Sequence, residues 1–240
     1  MVTLVKRNSA PGAYEVPNVV RYLLVDNRFP EHRPRVTSAH LIRWIHLGLA
    51  SPSLTRVPGR KLVLSFEDMV SMRVIAFLRA YNYSFTKIHE AESVLRNLTG
   101  HPRPFATQHI WAMDKQAEAS VRFRRDIFAE INKVLMVATR GGQMPFPELV
   151  HRLIDLHGMT FDSRGVADTW APHPGVRLNP RIQFGEPCID YTRIPTRTIW
   201  GMVKAGDSPE FVAKIYNIAV ERVTHAVDWE ERLATTKKAA

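Results

Sequence analysis

Val36-Thr37-Ser38-Ala39-His40-Leu41-Ile42-Arg43-Trp44-Ile45-His46-Leu47-Gly48-Leu49 is the stretch on which the reading of the fold turns. A hydroxyl at Thr37 or Ser38 can accept from a first-turn backbone N–H that has no carbonyl partner inside a helix, so either residue serves as an N-cap. Gly48 closes the segment, because glycine enters the left-handed conformation of a helix end at little cost. The spacing predicts a helix through His46, with Leu41, Ile42 and Ile45 turned inward and Ser38, His40 and Arg43 near its N-terminal outer face.

Upstream, Val16, Val19, Val20, Leu23 and Leu24 recur at intervals of three and four, one face of a short amphipathic helix that begins after Tyr14. Pro17 is compatible with it only as a first-turn residue, where its missing N–H has no partner to lose. A polar, Pro-containing connection from Asp26 to Arg35 joins this helix to the next, giving helix, turn, helix. Downstream, Ser53 to Leu64 reads as two β-favouring runs around Pro58-Gly59, with Arg56, Arg60 and Lys61 near the tip. Ser65-Phe66-Glu67-Asp68 then opens a helix to about Ala80, and Ser84-Phe85-Thr86-Lys87 another to about Leu98.

In this order, the segment Tyr14 to Leu24, then Ile42-Arg43-Trp44-Ile45-His46-Leu47-Gly48-Leu49, the hairpin, and Leu64-Ser65-Phe66-Glu67-Asp68 resemble the MerR-type winged helix-turn-helix domain over about residues 12–100. The chain departs from that family in a longer first connection and in an Arg43-to-Gly48 spacing one residue short. The resemblance implies DNA contact by Ser38, His40 and Arg43 on the second helix and by Arg56, Arg60 and Lys61 on the wing. Arg43 has the chemistry to pair with guanine or a phosphate. Two plainer assignments stand beside this one: a winged helix can bind protein instead, with the three cations solvating a hairpin, and His40 can be a surface or capping residue.

Charge agrees with the first assignment. The chain of 240 residues carries a net +10, distributed as +8 over residues 1–104, zero over 105–174 and +2 over 175–240. A basic face on the first segment would hold phosphates and release their counterions. With 45% apolar and 23% charged residues the composition is that of a globular chain able to bury a core. Cys188 is the only cysteine, which rules out an intramolecular disulfide, a multi-cysteine zinc site and CxxC redox chemistry. No signal-peptide core or membrane-spanning run is legible, so the expected location is cytoplasmic, with no membrane partner.

Gly100-His101-Pro102-Arg103-Pro104 and Trp170-Ala171-Pro172-His173-Pro174-Gly175 punctuate the chain and divide it into modules at 1–104, 105–174 and 175–240. The middle module reads as mixed: β character at Ala106 to Met113 and Asp126 to Ile131, a turn at Gly141-Gly142 and a helical apolar stripe from Phe146 to Leu156. Its expected job is dimerisation or spacing. His151 and His157 are six residues apart, on largely different helix faces, and no metal-binding motif accompanies them, so no metal or other cofactor is expected.

The last module opens with a run of turn formers between short apolar strands, Val176 to Arg197, and continues as three helices: Thr196 to Ala205 closed by Gly206, a second opened by Asp207-Ser208-Pro209-Glu210, and a third from Val220 to Leu233. Gly185-Glu186-Pro187-Cys188-Ile189, Thr192-Arg193-Ile194-Pro195 and Ala205-Gly206-Asp207-Ser208-Pro209 resemble the small helical family of unknown function numbered four-three-three, over roughly residues 175–233. Such domains occur in VapB-type antitoxins, and the order of MerR-like head, middle segment and this tail resembles the antitoxin partner of a VapC-like PIN-domain ribonuclease. The resemblance implies repression of its own operon through operator DNA and sequestration of the toxin. Because PIN-domain toxins gather carboxylates around a metal, arginine is a fitting inhibitor group, and Arg181, Tyr191, Arg193 and Arg197 are the candidates for toxin contact. The same residues could instead hold the arm against its own domain. Cys188 lacks a neighbouring histidine base, which favours a buried structural thiol over a nucleophile.

The expected fold is α+β, mainly α: an N-terminal winged helix-turn-helix, a small mixed middle module and a C-terminal helix-turn-helix-like three-helix domain. The expected protein is a non-enzymatic, homodimeric antitoxin that represses its own operon. The alternative is a stand-alone MerR-type regulator responding to a small ligand in the middle module.

Overall fold

The computed structural model describes residues 12–26, 36–49, 62–80, 83–108, 110–112, 127–131, 134–137, 142–143 and 158–236, which form a mixed, mainly helical α+β fold. Strand β1, Tyr14–Glu15, runs directly into helix α1, Val16–Val25, with Pro17 in its first turn. Helix α2, Ser38–His46, follows. The cap is Thr37, whose hydroxyl oxygen accepts from the His40 N–H at 3.2 Å, and Gly48 takes φ +71° just beyond the helix.

Strand β2, Val63–Leu64, pairs antiparallel with β1, Leu64 opposite Tyr14 and Val63 opposite Glu15. Val63 and Leu64, the end of the hairpin expected over Ser53 to Leu64, are therefore paired with the start of the domain. The tip carrying Arg56, Arg60 and Lys61 lies outside the described residues. Helix α3, Phe66–Ala80, begins with a reciprocal cap: the Ser65 N–H and hydroxyl donate to the Asp68 carboxylate, and the Asp68 N–H donates to the Ser65 hydroxyl. Almost all of its first thirteen residues are buried, which makes it the central helix. Its one deep cation, Arg73, is compensated by Asp26 at 2.9 Å and lies over the Trp170 ring at 5.5 Å. Helix α4, Phe85–Thr99, is capped by the Ser84 hydroxyl and ends at Gly100 in the left-handed conformation.

Strands β3, Ile110–Ala112, β4, Ile127–Ile131, β5, Val134–Val137, and β6, Gly142–Gln143, form an antiparallel sheet in that order. Gly142 opens a strand here, where the sequence predicts a turn. The expected stripe from Phe146 to Leu156 lies outside the described residues. A second antiparallel sheet has the order β10-β9-β8-β7, built from β7, Met159–Phe161, β8, Ala167–His173, β9, Val176–Leu178, and β10, Pro187–Ile189. Trp170 pairs with Leu178 and His173 with Val176, so Pro174-Gly175 is the turn of a hairpin within this sheet. A linker and a hairpin turn share the same proline and glycine; only strand pairing separates them. Helices α5, Thr196–Lys204, α6, Pro209–Tyr216, and α7, Val220–Thr236, complete the chain. Ser208 caps α6 by accepting from the Phe211 N–H at 3.2 Å.

Head and tail share one core. Trp170, Val176, Leu178, Trp229 and Leu233 belong to the same buried cluster as Tyr14, Val19, Phe66 and Leu78. Tyr22 of α1 stacks on Trp229 of α7 at 5.9 Å, and the Ala13 N–H donates to the Phe184 carbonyl at 2.9 Å. A second, smaller core of Ile189, Ile199, Val212, Ala213, Val223 and Ala226 lies among β10 and the last three helices.

Candidate functional site

Two faces carry the candidate residues. On α2, Leu41 and Trp44 are buried one helical turn apart, which directs the rest of the helix outward. Ile42, expected inside, is 39% exposed, and Ile45 is half-buried. The correction follows from helical phase: Leu41 and Trp44 define the inward direction, and Ile42 stands about 100° from Leu41 around the axis. His40 and Arg43 are exposed and Ser38 half-exposed. The His40 ring lies parallel to Trp44 at 6.2 Å, and the Arg43 guanidinium lies over the Phe85 ring at 5.8 Å. Aromatic contacts from the core thus orient both side chains. Arg56, Arg60 and Lys61 lie outside the described residues.

On the tail, Arg181, Tyr191 and Arg193 come together around a cavity of about 540 Å³. Its wall also includes Asp168, Thr169, Arg177, Cys188 and Ile189. Arg181 donates two parallel hydrogen bonds to Asp168, at 2.5 and 2.7 Å, and this pairing raises the guanidinium pKa. Arg177 holds Asp190 in the same bidentate way, donates to the Thr169 hydroxyl at 2.9 Å and lies over the Tyr191 ring at 5.2 Å. Arg197 does not line this cavity; it is exposed and pairs with Glu186 at 3.1 Å. Arg193 is exposed, and its carbonyl accepts from the Gln183 side-chain amide at 3.2 Å.

Arg177, Asp168 and Asp190 were not among the expected site residues. The alternation Val176-Arg177-Leu178 is the available signal for Arg177, since buried valine and leucine on one face of a strand send the residue between them to the other. Cys188 sits in the wall with its thiol pushed up to about 11 by burial, which keeps it protonated at neutral pH. Among the described residues no group of three or more His, Cys, Asp or Glu could hold a metal ion, and no helix is long and apolar enough to cross a membrane. His151 and His157 lie outside the described residues.

Residues 176–229, which run from β9 into α7, match the family described as Protein of unknown function (DUF433). The fold is similar to that in the X-ray crystal structure of Rv2018 from Mycobacterium tuberculosis, with a TM-score of 0.61. The match covers 90% of this chain and 96% of that one at 18% sequence identity, which is a likeness of fold. No curated protein matches the chain significantly.

Proposed function

We propose that the protein is a VapB-type antitoxin: a homodimeric DNA-binding autorepressor that also sequesters a VapC-like PIN-domain ribonuclease. The observation that carries this reading is that one core joins α2, with Arg43 outward, to a tail that exposes Arg181, Tyr191, Arg193 and Arg197. An antitoxin that represses its own operon needs two surfaces, one for operator DNA and one for the toxin. In this reading residues 12–100 are a MerR-like winged helix-turn-helix. Ser38, His40 and Arg43 approach bases or phosphates, and Arg56, Arg60 and Lys61 bind backbone phosphates from the wing. The +8 charge of residues 1–104 supports this side of the assignment. The arginine and tyrosine face of the tail meets the toxin, and no catalysis is required of the chain.

The test is affinity purification of the tagged protein from its own cells, under nuclease and high salt, with mass spectrometry of stoichiometric partners. A PIN-domain ribonuclease at equimolar yield is the expected result. Operator binding without any such partner would transfer the assignment to a ligand-responsive regulator.

A further inference from the structure

Gln183, Phe184 and Tyr191 have φ values of +48°, +54° and +58°. Among non-glycine residues that region is uncommon, and for bulky side chains it is a backbone outlier. The rings gain no burial from it: Phe184 is 77% and Tyr191 83% exposed, the two highest values among the exposed large apolar side chains of the described residues.

The surrounding fold holds both residues there. The Phe184 carbonyl accepts from the Ala13 N–H at 2.9 Å, and the Gly185 N–H closes the turn on the Ile182 carbonyl at 2.8 Å. The Tyr191 N–H donates to Asp190, whose carboxylate is gripped by Arg177, and the Thr192 hydroxyl donates to the Ile189 carbonyl at 2.8 Å. The bond from the Gln183 side chain to the Arg193 carbonyl ties one loop to the other. Strain over-determined in this way, with two aromatic rings displayed to solvent, marks a working surface.

Charge selects the kind of partner. Three of the four arginines on this side are matched in the chain, Arg177 by Asp190, Arg181 by Asp168 and Arg197 by Glu186. Arg193 forms no ion pair among the described residues. One uncompensated cation is too few to track a phosphate backbone, whose binding comes from several cations releasing counterions together. Exposed aromatics together with an arginine are instead the composition of protein-binding hot spots.

We propose that the joined loops 182–185 and 190–193 are the docking surface for an acidic protein partner, with Phe184 and Tyr191 as aromatic anchors and Arg193 as the ion-pairing group. The partner sets a carboxylate against Arg193 and apolar side chains against the two rings. The proposal rests on the antitoxin reading, in which that partner is the PIN-domain ribonuclease. It adds Phe184 and takes Arg181 out of the direct contact, since Asp168 already occupies its guanidinium.

Calorimetric titration of the full-length protein with the purified ribonuclease tests it, using F184G, Y191G and R193E, with F211A on α6 as the comparison. Glycine accepts the left-handed conformation, and for Y191G the relief of that backbone offsets the lost contact of the ring with Arg177, so the first two variants should melt no lower than the parent. Each of the three loop variants should bind at least about tenfold more weakly, and F211A should bind normally. Unchanged binding by the loop variants, or weakening accompanied by a lower melting temperature, overturns the docking surface and leaves the antitoxin reading in place. Failure of the parent to bind the ribonuclease sinks both. Tight binding of oligo(dT) that the same variants abolish would replace the protein partner by single-stranded nucleic acid.

Discussion

Gly185→Ala strikes the seam between head and tail. Gly185 has φ +91°, and a Cβ built on it would stand 2.1 Å from the Tyr14 hydroxyl oxygen and 2.5 Å from Tyr14 Cζ. Tyr14 is itself buried in the shared core, so the ring cannot swing into solvent. Forcing a methyl into a packed interior costs about 1–3 kcal/mol, and a side chain at this backbone conformation adds roughly 1–2 kcal/mol. The expected loss is therefore about 2–5 kcal/mol. For a chain of this size, that lowers the melting temperature by roughly 5–15 °C. Urea unfolding followed by tryptophan fluorescence measures it.

Tyr14→Phe supplies the second edge of a mutant cycle. The Tyr14 hydroxyl is buried with no hydrogen-bond partner among the described residues, so its removal should be neutral or stabilising. It also removes the nearest clash while leaving the ring carbons, so Gly185→Ala should cost less in the Tyr14→Phe background by at least about 0.5 kcal/mol. A Gly185→Ala protein within about 0.5 kcal/mol of the parent, or a cost unchanged by Tyr14→Phe, would refute the seam as described.

Burial pushes the Glu230 carboxyl above its usual range, although the Thr196 hydroxyl donates to it. A raised folded-state pKa contributes stability that is complete below the unfolded value and lost as pH rises through the folded one. Glu230→Gln should thus raise the melting temperature near pH 8 and lose that advantage as pH falls toward about 4; a gain independent of pH would contradict the assignment. The Cys188 thiol, held at about 11, should alkylate slowly at pH 8 in the folded protein and rapidly in urea, and equal rates would show that it is not shielded. In the proposed DNA-binding role, Arg43→Ala should weaken operator binding and reduce the salt slope by about one unit, and replacing Arg56, Arg60 and Lys61 by alanine should reduce it by about one unit per lost phosphate contact. Anisotropy titrations at several salt concentrations measure both, and an unchanged slope would remove the corresponding face from the DNA interface.

Helix ends were legible because caps are local chemistry. Ser84, Ser208 with Pro209, and Gly100 mark them at the expected positions, and one of the two candidate hydroxyls, Thr37, caps α2. The inward face of α2 was less legible: four apolar residues within five positions leave the phase open, and the burial of Trp44 decides it. The gathering of Arg181, Tyr191 and Arg193 was anticipated only as a set of candidates. Their different fates depend on partners: Asp168 is thirteen residues from Arg181, and Asp190 thirteen from Arg177. Nothing near Phe184 in the sequence announces a left-handed backbone.

Sequence alone determined the helices of head and tail, the basic bias of the first segment and the DUF433 character of residues 176–229, because periodicity, caps and motifs are written within a few residues of one another. Tertiary structure decided that Leu64 pairs with Tyr14, that Trp170 and Trp229 enter the same core as α1 and α3, and which arginines are neutralised before any partner arrives. Those outcomes depend on burial and charge pairing between residues that are not neighbours in sequence, from about a dozen positions apart to opposite ends of the chain, where the free energy of each residue is set by contacts that only folding supplies.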